Sequence, residues 1–273
     1  MKLSLILCSV CSVGAVLVVL SSCTAPSAGG SGNKAPLAAV TKEQPFVNSL
    51  GMKFVPVPGT NILMCTTETT VAQYQGAGLG YQAQTFIQGS NHPAVGMNWY
   101  DAKAWCAWVS KKEGRKYRLP TDAEWSAAVG SGTYPWGNQW PPPNNCGNLA
   151  GQEMRGHTPA ERSQINNGLL DPLGIKYPGG ASALLIGGFI DRHKFTSPVG
   201  SYPANQLGLH DLTGNVREWC EDKLPSVLSW DARGVSRWLL YSSIRHTLLT
   251  SYGLGPGTRY GARDSGFRCV VMK

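Results

Sequence analysis

Residues 208–222 read GLHDLTGNVREWCED. Asp211 and Glu218 stand on either side of a Gly214-Asn215 pair, the composition of a tight turn. One reading is a loop with solvated charges. The other is an oxygen cage for a hard cation, because carboxylates and turn carbonyls are what such an ion takes. The surrounding chain has to choose between them.

Working outward, residues 98–114, NWYDAKAWCAWVSKKEG, form the strongest helix signal. Asn98 can cap it, and Asp101 sits in the first turn, where the helix end favours negative charge. Ala102, Trp105, Cys106 and Val109 share one face, and Gly114 ends the helix. KYRLP (116–120) reads as a short strand. TDAEWSAAVG (121–130) reads as a second helix with a Thr121–Glu124 capping box. FVNSLGMKFVPVP (46–58) suggests one or two strands, with Pro56 and Pro58 pointing to a sheet edge. TTETTVAQYQ (66–75) suggests a short helix with a threonine cap. Residues 146–200 carry two Gly-Gly pairs and little pattern. A compact domain tolerates so long an irregular stretch only if something ties it down, and a metal would do that.

The chain has 33 Gly, 18 Pro and 9 Trp against 15% charged residues. That favours a loop-rich fold with a core set by large rings over a helical bundle. The net charge is +8. The basic residues are scattered apart from KKEGRKYR (111–118), which fits a helix end, so no nucleic-acid partner is expected. The beginning, MKLSLILCSVCSVGAVLVVLSSC, has a secretory-signal pattern. Its Leu20-Ser21-Ser22-Cys23 resembles a bacterial lipobox, which implies cleavage before Cys23 and a lipid on its thiol. Residues 1–22 are then a signal peptide, 23–45 a flexible tether and 46–273 the domain. The expected location is the bacterial cell envelope, lipid-anchored, at the outer membrane facing periplasm or surface. Of eight cysteines, Cys65, Cys106, Cys146, Cys220 and Cys269 remain after Cys8, Cys11 and Cys23. An exported protein is expected to hold disulfides, and five is odd.

Several stretches together resemble the formylglycine-generating enzyme family, whose domain is also called the sulfatase-modifying factor domain. They are FVNSLGMKFVPVP, ETTVAQY, VGMNWYDAKAWCAWVSKKEGRKYRLPTDAEWSAA, YPWGN, TSPVGSYPANQLGLHDLTGNVREWCED and DSGFRCV, in that order from Phe46 to Val271. RLPTDAEW and GLHDLTGNVREW are the specific ones. The resemblance implies an α+β, C-type-lectin-like fold, loop-rich with little regular secondary structure.

The resemblance also implies two calcium sites. One would use Asp211 and Glu218 side chains with the Gly214 and Val216 carbonyls. The plainer alternative is that Glu218 pairs with an arginine and Asp211 caps a turn. The second site would use Asn148, the Leu149 carbonyl, Asp191 and the His193 carbonyl. The family often has Gly after that Asp, where this chain has Arg192.

Active members of the family oxidise a sulfatase cysteine with O₂ through two cysteines that bind Cu(I), an ion suited to soft thiolates. Those positions fall on Leu240 and Arg245 here, and no cysteine lies between Cys220 and Cys269. Copper is therefore not expected. The resemblance pairs Cys106 with Cys269, a bond worth roughly 4–5 kcal/mol by loop-closure entropy. The resulting expectation is a calcium-stabilised, non-catalytic binding or structural module with an unidentified protein or glycan ligand. Trp238, Tyr241, Arg245 and His246 would line its groove. The alternative is an active oxidase, or another reaction in the same groove.

Overall fold

The computed structural model describes residues 36–84, 86, 88–149, 186–193, 195–224, 233–237 and 265–273, with the backbone alone for 223–224 and 233–237. Cys23, Trp238, Leu240, Tyr241, Arg245 and His246 lie outside the described residues. The main sheet has five strands: β1 (Phe46–Val47), β2 (Lys53–Pro56), β3 (Ile62–Cys65), β4 (Tyr117–Arg118) and β8 (Val270–Met272). They run in the order β1-β2-β3-β8-β4, every neighbour antiparallel. A three-stranded sheet places β5 (Arg217–Leu224) between β6 (Arg233–Arg237) and β7 (Ser265–Gly266).

The main sheet is buried on both faces, and successive residues of its strands alternate between them. Phe54, Leu63, Cys65, Cys269 and Val271 face one cluster together with Trp105, Cys106 and Val109 of α2 (Trp99–Glu113). Val55, Ile62, Met64 and Val270 face another with Trp125, Ala128 and Val129 of α3 (Asp122–Val129). The helix signals correspond to local capping. Thr70 caps α1 (Val71–Gln75), Asn98 caps α2 and Thr121 caps α3, each in a reciprocal box with Gln73, Asp101 and Glu124 respectively. Gly114 closes α2 in the left-handed region at φ 60°.

One expectation is corrected. β2 is not an edge strand, since it lies between β1 and β3. Its one proline, Pro56, is tolerated because β1 covers only Lys53 and Phe54, leaving Pro56 without a partner on that side. Packing also reaches back beyond Phe46. Leu37 is buried in the α2-side cluster, so the compact unit begins at Pro36. Leu37 thus acts as an apolar anchor within the stretch expected to be tether.

Four tryptophan N–H groups tie the layers together. Trp99 donates to the Cys220 carbonyl at 2.8 Å, Trp219 to the Met97 carbonyl at 3.2 Å and Trp105 to the Gln73 carbonyl at 3.1 Å. The fourth, Trp125, donates to the Glu218 carboxylate at 3.0 Å. Three of these bonds hold β5, the strand that follows the 211–216 turn.

Candidate cation sites

The turn at 211–216 is held in the left-handed region at Asp211 (φ 59°), Gly214 (φ 81°) and Asn215 (φ 65°), residue types that tolerate it. Gly214 is dictated by space as well. A Cβ there would lie 2.0 Å from the Asn148 carbonyl oxygen, and one at Gly147 would lie 1.9 Å from that of Thr213. Asn148 and Gly214 form a parallel bridge, and the Asn215 N–H donates to the Asn148 carbonyl at 2.9 Å. Two loops far apart in sequence are therefore pressed backbone to backbone.

Asn215 has no solvent exposure and acts as the hub. Its Oδ1 accepts from Ser197 N–H at 2.8 Å and Asn148 Nδ2 at 3.1 Å, and its Nδ2 donates to Glu68 Oε1 at 3.2 Å. Around it, four buried oxygens receive no hydrogen bond from any N–H or hydroxyl among the described residues: Glu68 Oε2, Asn148 Oδ1, Ser197 Oγ and Asp211 Oδ1. Buried polar atoms without partners are rare, and a cation is one way to satisfy the amide and ionised carboxylate oxygens, which only accept, whereas the Ser197 hydroxyl can also donate.

Asp211 and Glu218 have different surroundings. Asp211 Oδ2 accepts from Gly200 N–H, and its other oxygen is one of the four. Both Glu218 oxygens are engaged by Arg268: Nε donates to Oε2 at 2.7 Å and the terminal NH2 nitrogen to Oε1 at 2.6 Å. The arginine pairing of the plainer sequence reading is thus present, whereas Asp211 binds the Gly200 loop. Burial alone would lower the Arg268 pKa, but the Glu218 charge outweighs it and raises it. The carboxylate beside Asp211 is Glu68, fully buried and within hydrogen-bonding reach of it. Burial, and then the Asp211 charge, push Glu68 well above the usual carboxylate range. Burial likewise raises Asp211. Two adjoining carboxylates in a dry site must share a proton or a cation. Glu68, Asp211 and Glu218 outnumber the single Arg268 guanidinium, so a divalent cation would neutralise the group.

The second expected set gathers around Asp191. Its Oδ2 accepts from Leu149 N–H at 2.6 Å and its Oδ1 from His193 N–H at 2.9 Å. Asn148 Nδ2 is spent on the Phe195 carbonyl at 2.6 Å, leaving its Oδ1 as the unpartnered acceptor. The His193 Nδ1 lies 3.1 Å from the Tyr202 hydroxyl, which donates to the Asp191 carbonyl at 3.3 Å. Among the described residues no three His, Cys, Asp or Glu side chains are placed to hold a metal. A cation here would draw on amide and backbone oxygens too, as calcium does.

Sequence reasoning missed Glu68, Ser197 and Arg268, and read Asn215 as a turn residue only. Glu68 is hidden in a polar run, TTETT, with no spacing relation to Asp211. Arg268 sits in GFRC, a motif noted for its cysteine. Cys106 and Cys269 are thiols in the structure and share one core cluster.

Residues 38–273 match the sulfatase-modifying factor enzyme 1-like domain. The inactive C-alpha-formylglycine-generating enzyme 2 of Bos taurus is 30% identical over 187 residues, 65% of this chain and 50% of that protein. The formylglycine-generating enzyme of Mycobacterium tuberculosis is 35% identical over 133 residues, 48% of this chain and 33% of that protein. The serine/threonine-protein kinase pkn1 of Chlamydia caviae is 32% identical over 133 residues, only 14% of its length. This chain thus spans half or less of these curated relatives. Among solved structures, PvdO from Pseudomonas aeruginosa superposes with a TM-score of 0.53 at 19% identity, covering 78% of this chain and 80% of that one. CarF superposes with a TM-score of 0.53 at 20% identity, covering 78% and 86%. At such identities these two speak for the fold, which is α+β and loop-rich. With residues 38–273 matched, well over half of its length, the chain belongs to the sulfatase-modifying factor enzyme 1-like family.

Proposed function

We propose that this chain is an exported, lipid-anchored envelope protein whose formylglycine-generating-enzyme-like domain binds a partner or glycan, or serves as a structural subunit, without the family's oxidation. The observation that carries this reading is chemical. No cysteine occurs between Cys220 and Cys269, and Leu240 and Arg245 stand where the resemblance places the copper thiolates. Neither side chain supplies a soft ligand for Cu(I). The name of the bovine relative, an inactive enzyme, supports the reading.

Calcium is the proposed cofactor. One ion would be held by Asp211, the Gly214 and Val216 carbonyls and Glu218, which would share its oxygens with Arg268, while Glu68 adds negative charge beside Asp211 without ligating. The other would be held by Asn148, the Leu149 carbonyl, Asp191 and the His193 carbonyl. The support is the set of buried acceptors that lack donors. When bound, calcium would supply positive charge and rigidity to these loops. Asn215 orients the amide and carboxylate groups around it. Trp238, Tyr241, Arg245 and His246 remain the proposed ligand groove.

The deciding experiment measures Cu(I) binding and oxygen-dependent conversion of a sulfatase-type cysteine peptide by the full chain, with calcium present. Neither activity is expected. Tight copper binding with turnover would establish the second reading, an oxidase, for which the identity to active formylglycine-generating enzymes speaks.

A further inference from the structure

The core on the α2 side of the main sheet contains three thiols, Cys65, Cys106 and Cys269. Cys146 and Cys220 pack in other clusters. The register of β3 against β8 pairs Ile62 with Met272, Leu63 with Val271 and Met64 with Val270. Continued by one residue, it sets Cys65 opposite Cys269. The backbone confirms the contact, since Cys65 N–H donates to the Cys269 carbonyl at 3.0 Å. Residues directly opposed across an antiparallel pair point to the same face, with Cα atoms about 5.5 Å apart in a hydrogen-bonded position. A disulfide spans Cα separations of about 4.4–6.8 Å. Cys106 reaches the same place from α2. The surroundings of the Cys269 sulfur include both other cysteines.

We propose that Cys65 is a second disulfide partner of Cys269, in competition with Cys106, so that oxidation yields two mutually exclusive bonds and always leaves one thiol over. In either oxidation, two thiols give up two protons and two electrons to a disulfide oxidant, which leaves as two thiols. One sulfur–sulfur bond forms in the protein and one breaks in the oxidant. The two forms interconvert without net oxidation. The Cys65 thiolate attacks Cys269 Sγ, the bond to Cys106 breaks, and Cys106 leaves as a thiolate that takes up the proton Cys65 gave. Burial pushes the Cys65 thiol up to about 11, so this exchange is slow in the folded protein, and the choice is set at oxidation. The two products differ mechanically. A bond from Cys106 fixes α2 to the sheet, whereas a bond from Cys65 staples neighbouring strands and leaves α2 to its packing.

The test maps disulfides in the full chain after oxidation with glutathione disulfide, alkylation during denaturation and digestion without reduction. The wild-type protein is expected to give both the Cys65–Cys269 and the Cys106–Cys269 linked peptides. Cys65→Ser should lose the first and keep the second, and Cys106→Ser should do the reverse. Wild-type protein that yields only the Cys106–Cys269 peptide across the glutathione ratios used would overturn the proposal, whether or not the variants fold. Cys65 and Cys269 both alkylated in a folded Cys106→Ser protein would do the same.

Discussion

Arg268 grips Glu218 with two parallel N–H···O bonds, 2.7 and 2.6 Å long, and neither side chain reaches solvent. The pair joins β5 to the segment entering β8 and so locks the small sheet to the large one. The other Arg268 donors go to backbone carbonyls, that of His210 at 2.9 Å and that of Cys65 at 3.3 Å. Removing one partner strands a buried charge. Glu218→Gln or Arg268→Met is expected to cost about 3–5 kcal/mol of unfolding free energy, read by urea denaturation. A loss below 1 kcal/mol, roughly the worth of an exposed pair, would mean that water reaches the site.

Calcium removal gives the second prediction. Free calcium at 100 times its Kd adds about 2.7 kcal/mol, which corresponds to roughly 5–11 °C in Tm for a domain of this size. A chelator should lower Tm by that order, and calcium should restore it. Asp211→Asn and Glu68→Gln should blunt the response, whereas Glu221→Gln should not. Identical melting with chelator and with calcium would leave a proton, not a cation, between Glu68 and Asp211.

Arg118 holds Glu124 with two bonds of 2.7 Å, and Glu124 also accepts from Thr121 N–H at 2.8 Å. Burial opposes ionisation of Glu124, but the Arg118 and Thr121 donors outweigh it and hold the carboxyl below its usual range. A depressed folded pKa means that the stabilisation is complete above the unfolded value, about 4.3, and disappears as pH falls through the folded one. Glu124→Gln should therefore cost roughly 1 kcal/mol at neutral pH. The gap to wild type should close in strong acid. A gap of constant size across the titration would assign the loss to packing.

How much of this was legible in the sequence depends on how local each signal is. All three helix starts were readable because a capping box involves residues three apart, as Asn98–Asp101 and Thr121–Glu124 show. β3 was not, because ILMC is buried on both faces and shows no alternation. β8 was not, because its place is set by partners far away in sequence. At the candidate site, the turn residues Asp211, Gly214 and Asn215 could be recognised from their types. Glu68 could not, since only folding brings it beside Asp211.

Gly214 and Gly147 supply a steric prediction. Alanine at either would bring a Cβ within 2.0 Å of a carbonyl oxygen of the facing loop. Each substitution should cost roughly 3 kcal/mol or more, and each should weaken any calcium response because Asn148 would move. Unfolding free energies within 0.5 kcal/mol of wild type, the range of ordinary surface changes, would mean that the loops part easily.

Arg192 carries the opposite expectation. It adopts φ 74°, a region where a side chain other than Asn or Asp is strained by about 1–2 kcal/mol. Glycine relieves that strain but adds freedom to the unfolded chain worth about 0.4–1 kcal/mol. Arg192→Gly should leave Tm equal or higher. A clear fall would show that the arginine side chain makes a stabilising interaction.

The position of β8 has a consequence in time. This strand is inserted between β3 and β4, so β3 and β4 are never neighbours and neither can substitute for it. Until residues 270–272 have been synthesised, one edge of β3 has no neighbour and β4 has no strand to pair with. Closure must then join segments about two hundred residues apart, and pairing over such a span is intrinsically slow. The nascent chain thus cannot complete the main sheet until residues 270–272 arrive.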